Sequence, residues 1–429
     1  MAIDFALTAR QRALQLESRK FAAEVLEKAQ TAESLPTPEE RFRATKPVYE
    51  AMVAAGFLRK CIPASVGGDN AGLLDMAIMA EEFYSVNASV TLTMLGTVLG
   101  LLPILLGGTP EQVGRLLKPF LKKSGAPLAG FCSTEPGGSA NAASPLPGEG
   151  VRTVAEREGD NWIINGRKKW VSSATGWDRK GAEVLCVVCR TDADAPPEKA
   201  ISVIAVERPA SGVVFERAID SVGHRAHLTP LFRFENVPTP RTNLLGEQGN
   251  GLALTAASFT GTAALVGILG VALMRAAFDF ALQFARIERR GGIHPIIEHQ
   301  AVGYALADAK IAIEAVRYLS WRACHAVDTQ SPAADELAIE AKIYGSETAV
   351  RVITDLMGVV GIESYDHEAP MGRLLQDALA LPIFDGGNMG VRRRQLHNLL
   401  KRPDYDALLA SATVEISECE RAFNNRRAS

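Results

Sequence analysis

The chain has 429 residues, 47% apolar and 22% charged, with a formal net charge of −3. That length suits two or three packed domains rather than one minimal core. The charge balance provides no broad basic footprint for nucleic acid, and neither zinc-finger spacing nor a Lys/Arg block is present.

In chain order, the start MAIDFALTARQRALQLESRK lacks a signal peptide's apolar core and goes straight into amphipathic helical spacing. Helices are expected near 8–30, 47–58, 73–87, 91–104 and 111–122. Residues 73–83, LLDMAIMAEEF, bury one face, with Phe83 and Tyr84 as aromatic filler. Composition changes near Ser124. Runs such as VRTVAERE, NWIING, LCVVCR, ISVIAVE, VVFERA and LFRFENV read as strands, each rich in Val, Ile or aromatics and closed by turn residues. Helical spacing returns near 251–289, 296–326, 332–360 and 386–400, a bundle pattern with one long connection over 361–384. The most apolar stretches, 95–106 and 262–274, fall short of the ~20 residues of a membrane span. The fold class is therefore α+β: an N-terminal helical domain (1–123), a central β domain (124–245), a C-terminal four-helix bundle (246–404) and a polar tail (405–429).

Six cysteines are present, at 61, 132, 186, 189, 324 and 419. Cys186 and Cys189 share a strand and point to opposite faces, so they read as buried thiols, not as a redox pair or a metal site. No disulfide framework is visible, which fits a reducing compartment. The terminal RRAS is not a peroxisomal address, and a cytoplasmic location is expected. Neither G-x-G-x-x-G nor a Walker sequence occurs, so any nucleotide cofactor is held by other means.

Five strings carry chemistry: FCSTEPGGSANAAS (131–144), NGRKKWVSSA (165–174), SVGHRAHLTPLFRFENVPTPRTNLLGE (221–247), ARIERRGGIHPIIEHQAVGYALAD (285–308) and LPIFDGGNMGVRRRQ (381–395). In this order, within a helix–β–helix layout, they resemble the acyl-CoA dehydrogenase superfamily over roughly 1–404. The DGGN and Arg run look most like its nitroalkane oxidase branch. Asn141 stands where many members carry Asp.

The resemblance implies an extended FAD and a homo-oligomer, a tetramer rather than a dimer. It places Ser133, Thr134, Ser139, Trp170, Ser172 and Ser173 on the cofactor. Arg290 and Gln300 are implied to reach a cofactor held partly by a neighbouring subunit. Asp385 is implied as the catalytic base, Arg392 as the group that positions or tunes it, and Thr262 as the hydroxyl bonded to the flavin and base region. Read from residues alone, Asp385 before a helix serves as an N-cap, and a helix start holds its charged form and lowers its basicity. The implied reaction removes the α-proton of a small nitroalkane, adds the carbanion to flavin N5, releases nitrite and an aldehyde or ketone, and reduces molecular oxygen to hydrogen peroxide. Three alternatives stay open on the same scaffold: an acyl-CoA dehydrogenase or oxidase with an Asp base, a flavoenzyme of specialised metabolism that oxidises an N–O or N–H substrate, and a non-catalytic scaffold or binding protein.

Overall fold

The computed structural model describes residues 6–407 except 146, 147, 149 and 209. The polar tail beyond 407, with Cys419, lies outside the described residues.

The N-terminal block holds α1 (Ala9–Glu24), α2 (Pro38–Ala44), α3 (Lys46–Ala54), α4 (Leu73–Tyr84), α5 (Ala88–Gly107) and α6 (Pro110–Leu116). Thr8, Thr37 and Thr109 each form a capping box with a Gln or Glu three residues on. The pairing satisfies otherwise orphaned amides and stabilises each start by about 1 kcal/mol. Two expected helices are shorter than their spacing indicated. The first stops at Glu24 and gives way, past Val25, to a 3₁₀ stretch over Leu26–Ser34. The last is seven residues long and ends at Leu116.

Eight strands follow: β1 (Ala129–Cys132), β2 (Val154–Glu158), β3 (Asn161–Lys169), β4 (Val184–Arg190), β5 (Ile201–Glu207), β6 (Val213–Ala218), β7 (Pro230–Pro240) and β8 (Leu244–Leu245), with a short helix α7 (Pro197–Ala200) before β5. They form one sheet in the order β6-β7-β3-β2-β4-β5-β8, and β1 pairs in parallel with β4. Every residue of β4 is buried, as suits a central strand, and its apolar run from Val184 to Cys189, closed by Arg190, reflects that. Cys186 and Cys189 lie on it. All five described cysteines are free and buried.

The C-terminal helices are α8 (Gly251–Ile287), α9 (Gln300–Asp328), α10 (Ala334–Val360), α11 (Met371–Ala380) and α12 (Arg393–Leu400). The expected long connection over 361–384 thus contains a helix, α11, which buries Met371, Leu374 and Ala378. α8 and α10 cross in close contact: a Cβ on Gly345 would lie 2.7 Å from Gly267 Cα, closer than side chains approach backbone. α5 and α8 are, at 20 and 37 residues, long and apolar enough to span a membrane, unlike the shorter runs read from sequence, and most of each is buried inside the protein. Glu81 and Glu82 on α4 accept from Arg275 of α8, Glu81 also from Arg317 of α9 and Glu82 from Arg19 of α1, which ties the first block to the bundle.

Candidate active site

The site forms where the β domain meets the bundle. β1 ends at Cys132, and Ser133 and Thr134 follow directly. β3 ends at Lys169, and Trp170, Ser172 and Ser173 follow it. One backbone bond, Lys169 N to Thr134 O at 2.9 Å, joins the two segments. Lys168, fully buried, holds them from below by donating to Glu135 at 2.8 Å and to the Val188 carbonyl at 2.8 Å. Trp170 and Ser173 both sit at positive φ, 66° and 55°, and their amides are fixed by Pro230 O and Leu228 O. Such left-handed residues cost about 1–3 kcal/mol each and persist where the surroundings hold them.

The bundle brings its own residues to this edge. Phe131 of β1 packs on Phe259 of α8, ring centroids 5.3 Å apart. Arg394 of α12 donates to the Ala140 carbonyl. One turn beyond Phe259, Thr262 donates from Oγ1 to Asp385 Oδ1 at 2.9 Å. Arg392 donates through Nη2 to Asp385 Oδ2 at 3.3 Å and to the Asp385 carbonyl at 2.7 Å, and also to Phe259 O at 3.2 Å. Both side chains of the Asp385–Arg392 pair are buried.

The local backbone explains how Arg392 turns back on a residue seven positions earlier. Asp385 and Gly386 take left-handed conformations, φ 54° and 75°. A Cβ at Gly386 would sit 3.0 Å from Arg392 Nε, so the glycine leaves room for the guanidinium. The chain then forms a π-helical turn over Asn388–Arg392 before α12 begins, where a regular helix from 386 was expected. Asp385 therefore caps no helix: Gly387 holds the capping position and no side chain caps it. The expected loss of basicity is corrected with it. Burial pushes the Asp385 carboxyl above its ordinary value, while Arg392, Lys342 and Thr262 pull it back down.

Of the residues expected on a cofactor, Ser133, Thr134, Trp170, Ser172 and Ser173 come together at the joined loops. Ser172 Oγ lies 3.2 Å from His227 Nε2. Ser139 lies in the loop after Glu135, next to Ala140, where α12 makes contact. Arg290 and Gln300 are exposed at the α8–α9 turn, and within this chain Arg290 pairs with Glu363 at 2.7 Å. A flavin fits the loops. Ser173 Oγ is buried with no hydrogen-bond partner among the described residues, and Trp170 leaves 49% of its surface open. An unsatisfied hydroxyl beside an open aromatic face suits a flat ring with polar edges.

Two clusters escaped the sequence reading. Tyr84 bonds His224 Nε2, and Asp377 Oδ1 accepts from His224 N at 2.6 Å. Burial pushes Asp377 up to about 6 and His224 down to about 4. The His224 ring meets Phe384, the neighbour of Asp385, edge-on at 6.3 Å. The second cluster is Lys342 with Asn388. Lys342 is a lone cation on the buried stripe of α10, between Ala338, Ile339, Gly345 and Ser346. A charge at that spacing among apolar positions is a signal the sequence does contain.

The helix–sheet–helix order is that of the acyl-CoA dehydrogenase family, and the chain belongs to it. The family's N-terminal, middle and C-terminal domain models match residues 8–124, 130–237 and 249–400. Among its relatives, the nitroalkane oxidase of Podospora anserina is 42% identical over 425 residues, covering 95% of this chain and 98% of that protein. The nitroalkane oxidase of Fusarium oxysporum is 36% identical over 430 residues, covering 95% and 97%. The solved Podospora anserina structure superposes with a TM-score of 0.91 at 41% identity, over 96% of this chain and all of that one. An active-site mutant of nitroalkane oxidase crystallised with 1-nitrooctane superposes at 0.93 with 34% identity, over 96% of this chain and all of that one. The cofactor of the family is FAD.

Proposed function

We propose that the chain is an FAD-dependent oxidase that converts small nitroalkanes to aldehydes or ketones, with Asp385 as the base. The observation that carries this reading is the buried Asp385 carboxylate, fixed on one oxygen by Thr262 and on the other by Arg392. FAD supplies the two-electron oxidation and passes the electrons to molecular oxygen. The net balance is nitroalkane, water and oxygen to aldehyde, nitrous acid and hydrogen peroxide.

The protein's part is proton removal and placement. Asp385 takes the α-proton on a carboxylate oxygen. A nitroalkane C–H is acidic enough for a carboxylate whose basicity burial has raised. Thr262 and Arg392 fix both carboxylate oxygens, so little reorganisation is needed as the proton moves. The packed rings of Phe131 and Phe259, next to Thr262 on the same helix, limit water at the reacting carbon and strengthen these contacts. Ser133, Thr134, Ser139, Trp170, Ser172 and Ser173 hold the cofactor. In a tetramer, Arg290 and Gln300 would complete a neighbour's FAD site, which light scattering of the FAD-loaded protein checks.

Stopped-flow mixing of the oxidised protein with nitroethane and with butyryl-CoA tests the reaction. Bleaching of the flavin by nitroethane with release of nitrite is expected. Bleaching by the thioester alone would overturn the nitroalkane reading and assign Asp385 to acyl-CoA chemistry.

A further inference from the structure

Lys342 is fully buried, and its ammonium donates to two points of the loop that carries the base. Nζ reaches Leu381 O at 3.2 Å and Asn388 Oδ1 at 2.9 Å, one before Asp385 and one after it. Asn388 is itself held, donating from Nδ2 to Ser346 Oγ at 3.0 Å and to Glu347 Oε1 at 3.1 Å, while its amide donates to Pro382 O at 2.9 Å. The loop is thereby closed on itself and pinned to α10. A buried ammonium is costly unless its donors are used and its charge is balanced. Two acceptors here are neutral oxygens, so balance comes from charged groups close by.

From this clamp we infer that Lys342 is a positioning residue for proton abstraction: it fixes the loop bearing Asp385 and, by its positive charge, keeps the carboxylate ionised. The inference rests on the role of Asp385 proposed above. The charged groups facing this pair are few. Asp385 on the loop and Glu347 on α10 favour the ammonium, and Arg392 from the π-helical turn opposes it. Arg393 on α12 is occupied by Glu347, with Nη1 to Oε1 at 2.6 Å. From α8 the contact on Asp385 is the neutral Thr262 hydroxyl. Lys342 and Arg392 thus both favour the ionised form of one carboxylate, and the two cations do different work. Arg392 is in direct hydrogen-bond contact with Asp385, whereas Lys342 acts through the loop and through its field. Burial pushes the Lys342 ammonium down to about 8, a direction Asp385 counteracts.

The test compares wild type with Lys342→Met and Lys342→Gln, all as FAD-loaded protein. Gln keeps a neutral donor for the loop, so it reports the charge alone and serves if the apolar replacement does not fold. Flavin reduction by nitroethane is followed against pH. Without the charge, the acid limb should move up by roughly 0.5–1 pH unit, slowing reduction about three- to tenfold on that limb. Reduction by preformed ethyl nitronate, which has already lost its proton, should stay within about twofold of wild type. Infrared titration of the carboxylic C=O band that Asp385→Asn abolishes reads the same shift without turnover. That measurement decides the inference even if nitroethane proves not to be a substrate. An unmoved acid limb and an unmoved infrared titration in folded Lys342→Gln would overturn it. So would equal slowing with nitroethane and nitronate at every pH, which would leave Lys342 as a purely structural residue.

Discussion

Burial and charge pull the Asp385 carboxyl in opposite directions, and burial prevails. The ionised form is the base, so activity is lost as pH falls through the folded value. Because that value is raised, the acid limb of kcat/KM for nitroethane should lie above the ordinary ~4 of a carboxyl. A limb at or below ~4 would mean that the base is better solvated than its burial implies. Asp385→Asn should fold and bind FAD, lose about 10²–10⁴-fold in reduction by nitroethane and keep reduction by ethyl nitronate. Stopped-flow flavin absorbance on both substrates separates a lost base from a distorted site. Asp385 and Arg392 were legible because they stand in one motif string with fixed neighbours, and Thr262 only through the family resemblance. The direction of the Asp385 shift was not, since it depends on a left-handed turn and on burial that spacing does not record. Lys342 was visible only as an isolated charge on an apolar stripe, and its partner Asn388 lies 46 positions away.

At the scale of elements, long periodic segments and the change of composition near 124 were readable, while short pieces and ends were not. α11 was missed because Pro370 and Pro382 bracket a ten-residue helix that its acidic surroundings disguise as loop. The expected helix over 386–400 lost its first turns to two glycines and a π-helical turn, which is what lets Arg392 reach back. The packing of α8 on α10 has no signature beyond small residues, yet it sets where Lys342 stands relative to Thr262. A Cβ on Gly267 would come within 2.2 Å of Ser320 Oγ and 2.9 Å of Ala341 O. Ala at that site gains about 1 kcal/mol of helix propensity and loses about 1–3 kcal/mol to overpacking, so Gly267→Ala should destabilise. Gly358→Ala, with nothing within 4 Å of the new methyl, should stabilise by roughly 0.5–1 kcal/mol. Denaturant melts of the two proteins check the opposite signs. A stabilised Gly267→Ala would show that the crossing has slack.

At the scale of the whole molecule, the site lies at the seam between the β domain and the bundle rather than inside either block. The oxidation proposed above ends in hydrogen peroxide, formed inside the protein at every turnover. Peroxide attacks thiolates, and the described cysteines offer it none on the surface. Cys61, Cys132, Cys186, Cys189 and Cys324 are all buried, and burial pushes Cys61, Cys132 and Cys189 up to about 12 and raises Cys186 and Cys324 as well. Cys132 immediately precedes Ser133 of the loop proposed above to hold the flavin, so the thiol nearest to that loop in sequence is kept protonated and covered. In a Cys419→Ser protein, a thiol reagent should find no reactive sulfur in the native state and five after unfolding. Reaction of even one native thiol would expose a route for self-inactivation. For the described cysteines, resistance to that product is then a property of the same packing that shapes the core.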